Sequence, residues 1–291
     1  MKKLDNDLTK FYNENGYILL KDIIPRSKID SLLESIFKLY CKYSNNSDDF
    51  QGIQNPWTTE LFHTKLIEFR ETNPQDFGAI YDTLKTSLPL TQIVTDDSVV
   101  DNVARSLEIK PSDLSISEPM CRLDVPNDQR NTFDWHQDRA YFPQNRDGLH
   151  GLVCWIPLTD VTEEMGAIHI SPKSHLEGNL KSARKSKQNS LHSTQVPVPQ
   201  EFVKKYDDIS VPVDAGDLIL FNMLVFHRSG KNASNQVRLA IQARFHTSTA
   251  DDFIPFELNN YYNPYVKQKL EEKYDCSDIP NNKRQPPVAF E

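Results

Sequence analysis

The tripeptide His136-Gln137-Asp138 places two potential metal ligands within three residues of each other. In an extended segment, residues i and i+2 project to the same side, so an imidazole nitrogen and a carboxylate oxygen can converge on one cation. A neutral imidazole and a carboxylate are two members of the 2-His-1-carboxylate set that holds non-haem Fe(II) and leaves coordination positions open. The tripeptide also arises often by chance, and by itself it is better explained as a solvated histidine beside a surface aspartate.

A third ligand has to come from a distant part of the chain, and His227 is the candidate. Gly216-Asp217 followed by an apolar run reads as a turn that enters a buried strand, and His227 ends the next apolar run. A histidine in that place can also be a core residue bonded to backbone. Arg238 follows eleven residues later in an alternating run that predicts a strand with Arg238, Ala240, Gln242 and Arg244 on one face. An arginine inside a barrel needs an anion, which a dicarboxylate co-substrate would supply.

These residues together resemble the phytanoyl-CoA dioxygenase family of Fe(II)/2-oxoglutarate oxygenases. The resemblance is carried by His136-x-Asp138, His227-x-Ser229 and Arg238, and it spans roughly residues 8 to 246. Three further segments are similar to family motifs, with departures at Ala167 and Lys173: 155–160 (W-x-x-L-D-D in the family), 165–175 (G-x-L and P-G-S-H) and 11–18 (F-x-x-x-G-Y).

The resemblance implies a mechanism and a role for each matched residue. Fe(II) would be bound by His136, Asp138 and His227, and 2-oxoglutarate and O2 would take the open positions. Arg238 and Ser229 would hold the distal carboxylate of 2-oxoglutarate, and Trp155 would be a wall of that pocket. The products would be succinate, CO2 and an oxidised substrate. Halogenating relatives lack the carboxylate, so Asp138 favours hydroxylation.

The primary substrate is predicted to be a small polar or anionic metabolite rather than a long acyl chain or a nucleic acid. Arg139 directly follows the metal motif, and Arg122 and Arg244 lie on predicted strands beside it; three guanidinium groups near one cavity would repel one another without an anion. The formal net charge of −8 disfavours a polyanionic partner. The candidate substrate contacts are Arg122, Arg139, Tyr141, Arg244 and Trp57, and each also has an ordinary structural interpretation.

Two other functions use the same residues. A metal-dependent isomerase or hydrolase on a cupin-like barrel would use the three ligands but give Arg238 and Ser229 no role. A barrel that binds a metabolite as a sensor, without turnover, would not need a complete ligand set. Conversion of 2-oxoglutarate to succinate would distinguish an Fe(II)/2-oxoglutarate oxygenase from both of these alternatives.

The elements that must position these residues are predicted as one domain, mainly β with helices, whose core is a double-stranded β-helix (jelly roll). Residues 1–112 are predicted as a helical part, 113–248 as the jelly-roll core and 249–291 as a C-terminal extension. Helices are predicted at 27–43, 58–72, 75–86 and 97–107, separated by Pro74, Pro89 and Pro111. Strands are predicted at 114–124, 132–136, 151–158, 166–171, 194–199, 209–213, 217–222, 224–228 and 236–246.

Composition and targeting signals indicate a globular protein of the cytoplasm. The N-terminus has no apolar segment typical of a signal peptide, and no apolar run reaches transmembrane length. The four cysteines have no paired spacing, which favours reduced thiols over disulfides or zinc. A basic insertion at 179–193 is predicted as a surface loop, with a substrate lid as the alternative. No sequence signal indicates an oligomeric state.

Overall fold

The structure is a computed structural model that describes residues 2–128, 132–142, 144–180 and 195–254. Within them, helices lie at Lys2–Asn15 (α1), Arg26–Ser44 (α2), Glu60–Thr72 (α3), Pro74–Leu84 (α4), Leu88–Val94 (α5), Asp97–Ser106 (α6) and Gln200–Val203 (α7). Strands lie at Tyr17–Leu20 (β1), Leu114–Asp124 (β2), Gly151–Pro157 (β3), Ile168–Ile170 (β4), Ile209–Val211 (β5), Leu218–Asn222 (β6), His227–Arg228 (β7) and Arg238–Thr247 (β8).

The described strands form two antiparallel sheets. One has the order β1-β6-β3-β8-β2 and the other the order β5-β4-β7. A hydrophobic core between them contains residues of both sheets, including Trp155, Ile170 and Phe221. The predicted fold class is confirmed: this is the double-stranded β-helix architecture with helices packed on it, open rather than closed into a barrel.

Strand β8 directs its side chains alternately into two layers of the structure. Its odd-numbered residues from Leu239 to Phe245 belong to the core that the five-stranded sheet shares with the helices. The residues between them face the space between the two sheets, where Arg238, Gln242 and Arg244 line a cavity. Because strand side chains alternate in direction, the apolar half of β8 holds the helical layer while the polar half is available for chemistry.

The helical layer forms as the apolar periodicity of α2 predicts. Ile29, Leu32, Leu33, Ile36 and Tyr40 are buried on one face of α2. Helix α3 begins after Thr59, whose side chain accepts a hydrogen bond from the backbone N–H of Phe62.

Phe62 is the centre of an aromatic cluster in this layer. Its ring is fully buried and makes edge-to-face contacts with three other rings. Its ring centroid lies 5.6 Å from that of Phe37, 5.8 Å from that of Tyr40 and 6.3 Å from that of Phe50.

The turn that enters β6 is fixed by the predicted Gly216-Asp217 pair. Gly216 has φ +95°, and a Cβ there would lie 2.9 Å from the carbonyl oxygen of Ile24, so only glycine fits. Asp217 is buried and accepts hydrogen bonds from the backbone of Asp22 at 3.0 Å and from Lys21 Nζ at 2.7 Å. These contacts tie the end of β1 to the start of β6.

Several predicted elements differ from the structure. Residues 132–136 and 194–199 were expected to be strands, but the described part of each makes only isolated bridges: His136 pairs with His227 and with Pro197. Helices α1 and α5 and strand β1 were not predicted. Pro89 does not separate two helices but lies in the first turn of α5, where its missing N–H needs no partner.

Other predictions fall partly outside the described residues. The basic insertion is described only up to residue 180 and the C-terminal extension only up to Ile254. Cys41, Cys121 and Cys154 are free thiols, and Cys276 lies outside the described residues. None of the helices that the structure describes is both long enough and apolar enough to cross a membrane.

Replacement of Phe62 by Ala should lower the free energy of unfolding by about 3–5 kcal/mol, because it opens a cavity in the aromatic cluster. Urea denaturation followed by circular dichroism measures the loss. Leu88→Ala is the control: Leu88 is 72% exposed on α5, and its removal should change stability by less than about 0.5 kcal/mol. Equal losses in the two variants would mean that the cluster does not stabilise the layer.

Candidate metal centre and co-substrate pocket

His136, Asp138 and His227 come together as a buried cluster. Their ligand atoms all lie within 4.8 Å of one another, and the cluster is the one group of metal-binding geometry found among the described residues. Asp138 Oδ1 lies 3.3 Å from His136 Nε2 and 3.4 Å from His227 Nε2. Two imidazole nitrogens and one carboxylate oxygen therefore point to a common position, as the 2-His-1-carboxylate set requires.

Backbone contacts orient both histidine rings. His136 Nδ1 donates to the carbonyl oxygen of Asp134 at 2.8 Å, and His227 Nδ1 donates to that of Val225 at 3.1 Å. A carbonyl oxygen only accepts, so Nδ1 carries a proton, and in a neutral ring the Nε2 lone pair is then free for a metal. This is the arrangement by which outer hydrogen bonds fix the tautomer of a metal-binding histidine.

Asp138 is positioned by a turn and by an ion pair. It begins a 3-10 turn at Asp138–Ala140, in which its carbonyl accepts from the backbone N–H of Tyr141 and of Phe142. Arg244 Nε donates to Asp138 Oδ2 at 2.8 Å. One carboxylate oxygen thus faces the two histidines and the other is held by the guanidinium.

The protonation states of these groups suit metal binding. Burial by itself raises the pKa of Asp138, but opposing effects, of which the positive charge of Arg244 is the largest, hold that pKa well below its ordinary value. Burial, together with the neighbouring His136, lowers the pKa of His227, which keeps its ring neutral. An ionised carboxylate and a neutral imidazole are the forms that bind a divalent cation.

Arg238 has an internal partner that the sequence did not predict. Its Nη2 and Nε donate to Asp124 Oδ2 at 2.7 and 3.3 Å, and its Nη1 donates to the carbonyl oxygen of Gly166. Arg122 holds the other oxygen of the same carboxylate, with Nη2 at 3.0 Å from Asp124 Oδ1. A guanidinium has five N–H donors, and these contacts use three of those of Arg238.

The cavity between the sheets joins the metal cluster to Arg238. It has a volume of about 230 Å³. Its lining includes the predicted residues Ser229, Trp155, Arg122, Tyr141 and Arg244 together with the three ligands and Arg238. It also includes residues that were not predicted: Met120, Phe133, Phe142, Val153, Ile168, Phe221, Arg228 and Gln242. Of these, Met120 and Gln242 share predicted strand faces with Arg122 and Arg244, which is the one signal that could have found them.

Two predicted substrate contacts are not brought to this cavity. The backbone N–H of Arg139 donates to the carbonyl oxygen of Met223, and its buried side chain turns to the carbonyl oxygen of Arg146. Trp57 belongs to the helical layer, where its ring lies 6.2 Å from that of Phe37. The structure therefore places neither Arg139 nor Trp57 on the lining of this cavity.

Comparison with known proteins agrees with this geometry. The family model described as phytanoyl-CoA dioxygenase (PhyH) matches residues 12–240. Peroxisomal phytanoyl-CoA dioxygenase of Homo sapiens is 24% identical over 254 residues, covering 83% of this chain and 70% of that protein. The 1-deoxypentalenic acid 11-beta-hydroxylase of Streptomyces arenae is 24% identical over 236 residues, covering 78% and 75%.

Solved structures share the fold. The epimerase SnoN in complex with Fe3+, alpha ketoglutarate and nogalamycin RO aligns with a TM-score of 0.59 and 17% identity, covering 88% of both chains. EvdO2 from Micromonospora carbonacea var. aurantiaca, complexed with 2-oxoglutarate, aligns with a TM-score of 0.54 and 17% identity, covering 86% of this chain and 94% of that one.

Replacement of His227 by Ala should abolish stoichiometric Fe(II) binding, because two ligands remain of three. Anaerobic titration with Fe(II) measures the stoichiometry, and circular dichroism should report an unchanged fold. His150→Ala is the matched control, since His150 is exposed and its Nδ1 bonds Asp252 away from the cluster. Full iron occupancy in the His227 variant would place the metal elsewhere.

Proposed function

The chain belongs to the phytanoyl-CoA dioxygenase family, a family of Fe(II)- and 2-oxoglutarate-dependent dioxygenases, and from that premise we propose that it hydroxylates a small polar or anionic metabolite with release of succinate and CO2. The observation that carries the proposal is the arrangement along the inner face of β8. The cluster of His136, Asp138 and His227, with Arg244 bonded to Asp138, lines the same cavity as Arg238.

The donor set fits Fe(II). Two imidazoles and one carboxylate surround one position, each held by a second contact, and three protein ligands leave further positions open. When bound, the iron together with 2-oxoglutarate and O2 supplies the oxidation of a C–H bond; the chain itself supplies position and charge.

Arg238 and Ser229 are proposed to hold the distal carboxylate of 2-oxoglutarate. Both line the cavity, and Ser229 Oγ lies 3.3 Å from the backbone N–H of Phe133, so its own hydrogen remains available to donate. Asp124 would act through Arg238: by holding Nε and Nη2 it fixes the plane of the guanidinium and leaves the remaining donors for the ligand. Trp155, buried on β3, would form a wall of this pocket.

The volume of the cavity favours a small substrate. At about 230 Å³ it is smaller than the roughly 300–1,000 Å³ of pockets for drug-sized ligands, and the co-substrate takes part of it. The relatives' names indicate two different substrate classes: one relative is named for an acyl-CoA, phytanoyl-CoA, and another for an acid, 1-deoxypentalenic acid. The second is named as a hydroxylase of an acid, which agrees with the four arginines that line this cavity.

Neither alternative function has an observation in its favour. A metal-dependent isomerase or hydrolase would use the three ligands and leave the free donors of Arg238 and Ser229 without a ligand. A sensor without turnover would not need three oriented metal ligands. The test is aerobic incubation of the iron-loaded protein with 2-oxoglutarate: succinate formed in proportion to enzyme supports the proposal, and its absence, with iron and 2-oxoglutarate both bound, contradicts it.

Arg238→Lys should raise the KM for 2-oxoglutarate about tenfold to a hundredfold, since a charged hydrogen bond to a buried group contributes roughly 1.5–3 kcal/mol and lysine loses the planar fork. The maximal rate of succinate formation should change less than KM. Arg105→Lys, at an exposed position of α6, is the control. An unchanged KM in the Arg238 variant would move the co-substrate site to other residues.

A further inference from the structure

We propose that Arg244 is a positioning residue that restricts Asp138 to a single metal-binding oxygen, and so keeps one coordination position of the metal open. The inference rests on the proposed function, because it concerns the metal of the same cluster. It goes beyond that function by giving a task to a residue that is neither a metal ligand nor part of the pair proposed to hold the distal carboxylate of 2-oxoglutarate.

The two carboxylate oxygens of Asp138 have different surroundings. Oδ1 lies 3.3 Å from His136 Nε2 and 3.4 Å from His227 Nε2, so it shares the position to which both imidazoles point. Oδ2 accepts a hydrogen bond from Arg244 Nε at 2.8 Å. This second contact is buried, and a hydrogen bond between two charged groups is of the strong kind.

The asymmetry decides how the carboxylate binds a cation. In general a carboxylate binds a metal through one oxygen or through both. To use both, Asp138 would have to turn Oδ2 from Arg244 toward the metal, which breaks the charged hydrogen bond and brings the cation toward the guanidinium. Arg244 therefore favours binding through Oδ1 alone.

Arg244 is itself held against movement. Its Nη2 donates to Gln242 Oε1 at 3.3 Å, and the centre of its guanidinium lies 4.1 Å from the ring of Phe142. The backbone N–H of Phe142 donates to the carbonyl oxygen of Asp138 at 3.0 Å. The turn and β8 are thus joined at two points, through the carboxylate and through the ring, so Arg244 is not free to follow Oδ2 when the carboxylate rotates.

The number of metal-binding oxygens matters because the open positions are few. A set of three protein ligands leaves positions that the co-substrate and O2 are proposed to share. A chelating Asp138 would take one of these positions, and the reactant that binds last would lose it. Neutralising the buried charge of Asp138 needs a cation nearby, but it does not need a donor bonded to one oxygen only.

The test probes the open position with nitric oxide, a stand-in for O2 that binds Fe(II) without turnover. Wild-type protein and Arg244→Gln are loaded with Fe(II) and saturating 2-oxoglutarate in the absence of O2, and nitric oxide binding is followed by electron paramagnetic resonance. Arg244→Gln should bind nitric oxide about tenfold to a hundredfold more weakly, because hydrogen-bond partners of metal ligands typically contribute that much to a metal site. Its iron stoichiometry and circular dichroism should be unchanged, since all three ligands remain.

Two further variants serve as rescue and as control. Arg244→Lys keeps a positive charge and a donor for Oδ2, and should restore part of the affinity for nitric oxide. Arg70→Gln removes a partly buried arginine on α3 that lies 3.4 Å from Asp128 and outside the lining of the cavity, and should leave that affinity unchanged.

A crystal structure of the wild-type protein with cobalt(II) and 2-oxoglutarate tests the inference without any substitution. It should show one oxygen of Asp138 on the metal and the other on Arg244, whereas both oxygens should bind the metal in Arg244→Gln. Two metal-bound oxygens in the wild type would overturn the inference, and this result decides where Arg244→Gln does not fold.

Three results with the variants would also contradict it: unchanged affinity for nitric oxide in Arg244→Gln, an equal loss in Arg70→Gln, or loss of iron from a folded Arg244→Gln protein. These results are separable from failure of the proposed function. Succinate formation by the wild type, with unchanged affinity for nitric oxide in Arg244→Gln, rejects the role of Arg244 alone. Absence of succinate formation by the iron-loaded wild type rejects the hydroxylase.

Discussion

Two backbone hydrogen bonds hold the metal cluster together: the N–H of His136 donates to the carbonyl of His227 at 3.0 Å, and the N–H of His227 donates to that of His136 at 3.1 Å. They set the two rings 4.1 Å apart, although the residues lie far apart in sequence. Gln137, between the two ligands of the tripeptide, strengthens the same link by donating to the carbonyl oxygens of Leu224 and Gly178, both at 2.8 Å. The ligand geometry therefore depends on main-chain pairing, which side-chain substitution disturbs little.

The interior between the sheets contains more charge than stability alone explains. Arg122, Arg238 and Arg244 are each at most 9% exposed. Replacing a buried ion pair by apolar residues is often neutral or stabilising, whereas removing one partner leaves a costly uncompensated charge. A jelly roll with an apolar interior would be the simpler solution for folding, and 2-oxoglutarate, the co-substrate of this family, is an anion that buried arginines suit.

The sequence predicted the kind of chemistry at the site better than it predicted which residues surround the site. The alternation of β8 placed Arg238, Gln242 and Arg244 on one face, and the structure has them there. The role of Asp124 was not predictable, because pairing of a strand residue with Arg238 depends on the register between β2 and β8, where Asp124 is opposite Arg238 after a bulge between Ser117 and Met120. Arg139 shows the opposite error: adjacency to the metal motif suggested a substrate contact, but the turn at Asp138–Ala140 directs its side chain away. Short elements such as β1 have too little periodicity to be recognised without their partner, β6.

Arg238 and Asp138 are held in place by different parts of the structure. Arg238 and Arg244 both lie on a long strand that pairs with two others, so their separation is fixed by the sheet. Asp138 lies on a turn outside that sheet, and Arg244 joins the turn to β8 through a buried ion pair and a contact with the ring of Phe142. A change at Arg238 is therefore expected to leave the metal-ligand candidates in place while it removes one partner of Asp124. Arg244 holds one oxygen of Asp138, so a change at Arg244 is expected to disturb the position of that metal-ligand candidate.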